Sequence, residues 1–176
     1  MTVPNLSTAP EPTGEALPER EKMVIIAASG DLDKAWPVLI LATTGAAYGM
    51  EVTVFFTFWG LGILKKPDAG VTGDDWRQKL LSIFNRGTTE HLGLSKLNFG
   101  GMGPRMMKDL ADKHTVASVQ ELLTLAQQMG VKLWPCQMTM TLMGMESEDM
   151  IDGLDVPAGA GAAISLMKQS SINLFI

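Results

Sequence analysis

The chain has 176 residues, of which 46% are hydrophobic and 19% charged, and its formal net charge is −5. This length and composition are typical of a globular domain with a substantial core, and the acidic balance argues against binding to nucleic acid or to an anionic membrane surface. Its one cysteine, Cys136, excludes an internal disulfide and a CxxC redox or zinc motif, and it favours a reducing, cytoplasmic setting.

The beginning of the chain differs in composition from the rest. Residues 1–20 contain several prolines and glutamates and no apolar run of signal-peptide type, so we predict a flexible tail. Residues 21–176 are predicted to form one α/β domain.

The domain is predicted to open with a strand, a helix and a second strand. The continuous apolar run at 22–29 is typical of a strand buried on both faces. A helix is expected at 34–48, with Asp31 or Asp33 as its cap, and a second strand at 51–58. Short joins between such elements predict a parallel, right-handed crossover.

A membrane span is the alternative interpretation of this region. Residues 35–64 carry one charge, Glu51, and are long enough to cross a bilayer. A helix stop at Gly49 and a β-rich restart after it favour a buried helix followed by a buried strand. We therefore expect no integral membrane segment.

The middle of the chain has a less regular pattern. Residues 59–75 are predicted to be a loop, and 74–87 a helix with an acidic first turn. A glycine-rich turn then precedes a helix with Pro104 near its start. A further helix is expected at 118–130, where Ser118 and Glu121 have the spacing of a capping box.

The C-terminal part is predicted to complete the sheet. A short strand at 131–135 leads into a short helix at 137–144, followed by a helical turn or two near 147–154. A helix beginning near Pro157 and a last strand at 172–176 follow. Together these elements predict a three-layer α/β/α, Rossmann-like fold with a mostly parallel sheet of four to five strands.

Cys136 is the candidate reactive residue. It follows a predicted strand and begins a helix, and ligands of open α/β sheets collect at the carboxyl ends of strands. The free N–H groups of a helix start favour a thiolate and could hold a small sulfur anion. Free cysteine is also among the most buried residue types, so a packing role stays open from position alone.

Four segments of the chain resemble the DsrE/DsrF-like family, and they occur in the expected order and at the expected separations. The closest resemblance is to the single-cysteine DsrE-like subgroup, often labelled "peroxiredoxin family". It covers residues 21–176 and is carried by KMVIIAASGDLDKAWPVLILATTGAAYGMEVTVFFTFWGLGIL, NFGGMGPRMMKDL, GVKLWPCQMTMTLMGM and INLFI.

The resemblance implies a DsrE-type fold and a cytoplasmic sulfur carrier or sulfurtransferase. Cys136 matches the cysteine on which that family carries sulfane sulfur as a persulfide, or thiosulfate as a bound thiosulfonate. The implied partners are donor and acceptor carrier proteins and small sulfur anions. A homo-oligomer is implied as well, and the high apolar content of the chain favours one.

The other site candidates flank Cys136 or follow other predicted strands and turns. The predicted substrate-binding residues are Ser29, Thr57, Phe58, Trp59, Gly101, Trp134, Gln137 and Met138. The glycine-rich stretch FGGMGPR lacks a P-loop motif, SGDLDKAW lacks a dinucleotide motif, and both are expected to be turns.

We predict neither a cofactor nor a metal site. The two histidines, His91 and His114, lie far apart in the sequence without ligand partners nearby, so surface or capping roles are expected. Four methionines, Met138, Met140, Met143 and Met145, are expected to pack in a core or interface, with a soft lining for sulfur as the alternative.

Two other functions stay open at this point. One is a non-catalytic oligomeric or membrane-associated scaffold in which Cys136 only packs. The other is a thiol peroxidase, although VKLWPC lacks the threonine and arginine typical of a peroxidatic site and no second cysteine exists to resolve a sulfenate.

Overall fold

The computed structural model describes residues 20–84, 87–88 and 90–176, so the predicted tail at 1–20 lies outside the described residues except for Arg20. The strands are β1 (Lys22–Ala27), β2 (Glu51–Phe56), β3 (Lys132–Pro135) and β4 (Ile172–Phe175). The α-helices are α1 (Leu32–Ala47), α2 (Trp76–Phe84), α3 (Met102–Lys113), α4 (Val119–Gln128), α5 (Gln137–Met143) and α6 (Ala160–Met167). Three 3₁₀ helices lie at Phe58–Leu64, Phe99–Gly101 and Ser147–Asp149.

The four strands form one sheet in the order β3-β2-β1-β4, and all neighbouring pairs are parallel. Ile25 of β1 pairs with Val54 of β2 on one side and with Leu174 of β4 on the other. Val54 pairs in turn with Leu133 of β3. The predicted α/β fold with a parallel sheet is confirmed, and within the described residues the sheet has four strands.

Helices cover both faces of the sheet. Met23 and Ile25 of β1 belong to a core cluster that includes Leu39 of α1 and Leu122 of α4. Val24 and Ile26 point to the opposite face, where they share a second cluster with Ala163 of α6. This alternation follows from the two-residue period of a strand, and it explains why β1 is apolar at nearly every position. The three-layer α/β/α arrangement is confirmed.

The capping box predicted for α4 is present. The Ser118 Oγ accepts the Glu121 N–H at 3.2 Å, and the Glu121 carboxylate accepts the Ser118 N–H at 2.7 Å. These two bonds satisfy N–H groups that a helix start would otherwise leave without partners.

The prediction that the side chain of Asp31 or Asp33 caps α1 is wrong. Asp31 occupies the N-cap position but makes no side-chain cap, because its carboxylate accepts the Ser29 hydroxyl at 2.8 Å. The Asp33 carboxylate instead accepts the Ser95 N–H at 2.9 Å and the Ser95 hydroxyl at 2.5 Å. A local partner, Ser29, therefore binds the Asp31 carboxylate, and a tertiary partner, Ser95, binds the Asp33 carboxylate.

The prediction of a loop at residues 59–75 is wrong for the first part of that range. β2 ends at Phe56, and Phe58–Leu64 forms a 3₁₀ helix in which Gly60 through Leu64 are buried. Short-range pattern gives little signal here because the turn is fixed by tertiary bonds, such as that from the Gly60 N–H to the Ala28 carbonyl oxygen at 3.2 Å. Further along, the turn near 147–154 is the single 3₁₀ helix Ser147–Asp149.

None of the helices in the described ranges is long and apolar enough to cross a membrane. The apolar passage at 35–64 divides between α1, β2 and the 3₁₀ helix after it.

Gly60 provides a test of the close approach at the carboxyl end of the sheet. A methyl group on this residue would overlap the Ala27 carbonyl oxygen. Because that oxygen belongs to the backbone at the end of β1, we expect Gly60→Ala to lower the free energy of unfolding by about 1 to 3 kcal/mol, measured by urea denaturation. The matched control is Gly161→Ala in α6, where a methyl group meets no atom within 4 Å and helix propensity favours alanine. A Gly60→Ala variant that is as stable as wild type would contradict the close approach.

Candidate functional site

Cys136 lies at the carboxyl end of β3 and is the N-cap residue of α5. Pro135 pairs with Phe56 of β2, and the next N–H group, that of Cys136, donates to the Phe56 carbonyl oxygen at 2.9 Å. The Cys136 carbonyl oxygen accepts the Met140 N–H at 3.0 Å, which is the first bond of α5. The residue thus occupies the strand-to-helix position that the sequence predicts.

The segment before α6 runs alongside Cys136. Ala158 forms a parallel bridge with Cys136, donates its N–H to the Pro135 carbonyl oxygen at 2.9 Å and accepts the Gln137 N–H at 3.0 Å. The start of α6 at Ala160 is therefore held close to the start of α5. The Cys136 side chain packs in the same apolar cluster as Ala163 of α6.

The Cys136 side chain is buried, with 2% of its surface exposed. On one side it packs in the cluster that contains Val24, Ile26, Phe55 and Ala163. An apolar environment of this kind disfavours a charged thiolate. By itself this half of the environment fits the packing role.

The other side of the thiol is polar. The hydroxyls of Thr57 and Thr139 are 3.1 Å apart and share a hydrogen bond, and the Phe58 N–H approaches the Thr139 Oγ1 at 3.4 Å. Thr139 is 1% exposed, so its hydroxyl is screened from water. The two threonines carry two hydroxyl protons, and because only one of them serves their mutual bond, the other is available to a neighbouring acceptor.

These two environments act on the thiol in opposite directions. Burial of the thiol raises the pKa of Cys136, but the nearby donor groups, which are the Thr139 hydroxyl and N–H, the Thr57 hydroxyl and the Met138 N–H, lower it by more, so that the pKa lies below its ordinary value. Because α5 has only seven residues, the pKa of Cys136 is lowered by these individual donors and not by a long helix dipole. The Cys136 side chain makes no capping hydrogen bond to α5. The site can therefore hold a thiolate inside an apolar surrounding.

The structure brings several of the predicted site residues to the thiol. Thr57 acts on the sulfur, Phe58 is linked to it through Thr139, and Trp134 packs against the same cluster. Gln137 and Met138 follow Cys136 directly and are exposed.

Three predicted residues are placed elsewhere by their described contacts. Ser29 is engaged with Asp31, and Gly101 donates its N–H to the Asn98 carbonyl oxygen in the turn before α3. Trp59 is about half exposed, and its carbonyl oxygen lies against Gly30. None of the contacts given for the described residues joins these three to Cys136, so their part in the site stays a prediction.

Thr139 is the site residue that the sequence reasoning missed. It follows Cys136 by three residues, which is the spacing of an N-cap residue and its N3 partner. That spacing was a usable signal, because a hydroxyl at N3 is placed next to the N-cap side chain.

The remaining candidate groups lie away from the thiol. Met140, Met143 and Met145 belong to the core cluster on the other side of the sheet, so they do not support a sulfur lining. His91 and His114 are exposed, as predicted, and no group of three or more metal-ligating side chains occurs among the described residues.

Replacing Thr139 tests whether its hydroxyl stabilises the thiolate. We expect Thr139→Val to raise the apparent pKa of Cys136 and to slow its alkylation at neutral pH, because burial then has less opposition. The measurement is the pH dependence of the reaction rate with iodoacetamide, a reagent small enough for a buried site. Thr57→Val should act in the same direction with a smaller effect, and Thr139→Ser should restore the wild-type profile.

Thr141→Val is the matched control for this experiment. Thr141 lies in the same helix, but its hydroxyl donates to the Gln137 carbonyl oxygen at 3.1 Å and does not act on the sulfur. An unchanged profile in Thr139→Val, or an equal shift in both variants, would show that the hydroxyl has no specific role.

Comparison with known proteins places the chain in a family. The profile of the DsrE/DsrF/DrsH-like family matches residues 19–175. The chain is 39% identical over 158 residues to the uncharacterized protein YrkE of Bacillus subtilis (strain 168), covering 90% of this chain and 98% of that protein. It is 42% identical over 159 residues to a protein named sulfur carrier protein DsrE2 from Allochromatium vinosum, covering 90% and 99% of the two chains.

A solved structure of a protein of unknown function from Methanobacterium thermoautotrophicum overlaps with a TM-score of 0.46 at 12% identity, covering 89% of this chain and 99% of that one. The family is shown by the sequence matches, which extend over nearly the whole chain. The protein belongs to the DsrE/DsrF/DrsH-like family.

Proposed function

We propose that the protein is a sulfur carrier that holds sulfane sulfur, or a thiosulfonate group taken from a small sulfur anion, on Cys136. The observation that carries this proposal is the lowered pKa of a buried thiol beside the Thr57–Thr139 hydroxyl pair. Family membership supports a role in sulfur trafficking, and one relative is named a sulfur carrier protein.

Loading is a displacement at sulfur. The Cys136 thiolate attacks a sulfur atom of a polysulfide, a new S–S bond forms, and the shortened polysulfide leaves with the electron pair of the broken bond. With tetrathionate the same attack leaves a thiosulfonate group on Cys136 and releases thiosulfate. Neither reaction needs an oxidant, a cofactor or a second cysteine, because the donor already contains oxidised sulfur.

Burial of the thiol restricts which donors can react. Cys136 is 2% exposed, whereas the neighbouring residue Met138 is 63% exposed. The outer sulfur of a persulfide extends about 2 Å beyond the cysteine sulfur, so an acceptor need not reach the buried cysteine sulfur itself. We therefore expect small anionic donors to load the site, and an acceptor to reach only the outer atom.

Delivery follows from the same geometry. The thiolate of an acceptor attacks the outer sulfur, an acceptor persulfide forms, and Cys136 is released as a thiolate that its hydrogen-bond donors stabilise. Donor and acceptor carrier proteins are the proposed partners, in the cytoplasm, where an unpaired thiol stays reduced. The homo-oligomer stays a prediction, and the exposed apolar side chains on α3, among them Met102, Met106 and Leu110, favour it.

A packing role for Cys136 is the second candidate. It is favoured by one specific observation, the position of the thiol within the apolar cluster of Val24, Ile26, Phe55 and Ala163. In that case the protein would act as a scaffold, and the thiol would not acquire sulfur at physiological donor concentrations.

Mass spectrometry of the intact protein separates the two functions. Exposure of wild type to polysulfide should add the mass of one or more sulfur atoms at Cys136, and tetrathionate should add a thiosulfonate group. Dithiothreitol should remove both adducts. A bulky maleimide should react with the folded protein far more slowly than with the same chain in urea.

Cys136→Ser is the control, since it keeps the size of the side chain and removes the nucleophile. It should acquire neither adduct and should unfold at nearly the same urea concentration as wild type. The carrier function is wrong if folded wild type stays unmodified, or if the serine variant gains the same mass.

A further inference from the structure

Lys65 is a lysine in the interior of the protein. It follows the 3₁₀ helix Phe58–Leu64, and only 3% of its surface is exposed. Its Nζ donates to the Gly70 carbonyl oxygen at 3.3 Å and forms no ion pair with a residue of the described ranges. A buried ammonium group with one neutral acceptor is unfavourable unless something else compensates its charge.

The surroundings of Lys65 disfavour the charged form of its side chain. Burial lowers the pKa of Lys65, and the Asp149 carboxylate, which raises it, opposes this only in part. The Asp149 carboxylate also accepts the Glu146 N–H at 2.9 Å, so it is engaged in a second interaction besides that with Lys65. The neighbouring Lys66 is different, because it pairs with Asp152 at 3.2 Å near the surface.

A cavity of about 440 Å³ adjoins Lys65. Its wall includes the polar residues Ser82, Thr88 and His91 and the apolar residues Pro67 and Val71. This volume lies in the range of small-molecule sites, and the mixture of apolar wall and convergent polar groups is typical of them. Neither Cys136 nor either of the two threonines beside it lines this cavity.

Two hydroxyl groups on this wall have protons with no acceptor among the described residues. The Ser82 Oγ accepts the Thr72 N–H at 3.0 Å, and its own proton has no acceptor among the hydrogen bonds of the described residues. The Thr88 hydroxyl is buried and has no partner there. Together with the remaining protons of the Lys65 ammonium group, these hydroxyls form a set of donors, and none of the described residues on the cavity wall is a carboxylate.

We propose that this cavity binds a small oxyanion, whose negative charge pairs with Lys65 and whose oxygen atoms accept the hydroxyl protons of Ser82 and Thr88. An oxyanion compensates the buried ammonium charge and satisfies the unpaired donors at once, which a neutral ligand or a cation does not. The site is separate from Cys136 and does not depend on sulfur transfer there. A phosphate-type and a thiosulfate-type anion share this chemistry.

Binding of inorganic phosphate and of thiosulfate to the full chain tests the proposal. Each is titrated by calorimetry and by thermal unfolding, with sodium chloride at matched ionic strength as the reference for screening. We expect saturable heat and a raised melting temperature with at least one oxyanion. Tighter binding of thiosulfate would assign a sulfur oxyanion, and equal or tighter binding of phosphate would assign the general oxyanion class.

Lys65→Met is the decisive variant, since it removes the charge, keeps most of the volume and leaves no buried cation. It should fold at least as stably as wild type in the absence of anions and weaken binding by about tenfold or more. Ser82→Ala with Thr88→Val should weaken binding in the same direction. Lys66→Met and Cys136→Ser should bind as wild type does.

Three results would overturn the proposal. One is a wild-type response no larger than that to chloride. The second is undiminished binding by Lys65→Met, and the third is loss of binding in Cys136→Ser, which would move the anion to the thiol.

Discussion

The hydrogen bond from the Cys136 N–H to the Phe56 carbonyl oxygen, at 2.9 Å, determines the geometry of the whole site. It extends the pairing of β2 and β3 one residue past Pro135, where β3 ends. The residue after Phe56 is Thr57, and this register brings its hydroxyl to Thr139 on the first turn of α5. A slip of one residue would turn the side chains to opposite faces and separate the hydroxyl pair from the sulfur.

The environment of the thiol combines two opposing requirements. Apolar residues from β1, β2 and α6 exclude water on one side, and donors from α5 and from Thr57, the residue after β2, approach on the other. Exclusion of water would protect a persulfide on Cys136 from side reactions, and the donors stabilise the thiolate.

The parts of the fold with a strong local signal were predictable from sequence. The apolar run of β1, the capping box at Ser118 and the strand-to-helix position of Cys136 all depend on neighbouring residues. The 3₁₀ helix Phe58–Leu64 was not predictable, because it depends on a close approach of the backbone at Gly60 to the Ala27 carbonyl oxygen at the end of β1. Likewise Asp33 has the sequence context of a cap and instead binds Ser95, sixty-two positions away.

The candidate site divides in the same way. Cys136 follows a strand end that the sequence places correctly, whereas Thr57 follows the end of β2 at Phe56, which comes before the predicted end of that strand at residue 58. Ser29 and Gly101 also lie at turns but are held by other contacts. Which strand ends come together depends on the order β3-β2-β1-β4, and that order is a property of the whole fold. The buried Lys65 has no sequence signal at all, because a lysine after an apolar run is ordinarily at the surface.

Single-turnover transfer from loaded protein tests the central claim most directly. Wild type is loaded with polysulfide, freed of excess donor and mixed with glutathione, and both partners are followed by mass spectrometry. We expect the outer sulfur to leave Cys136, glutathione persulfide to appear in equal amount, and Cys136 to return as a thiol that can be loaded a second time. Sulfur that stays on Cys136, or that leaves without appearing on the acceptor, would contradict a carrier function.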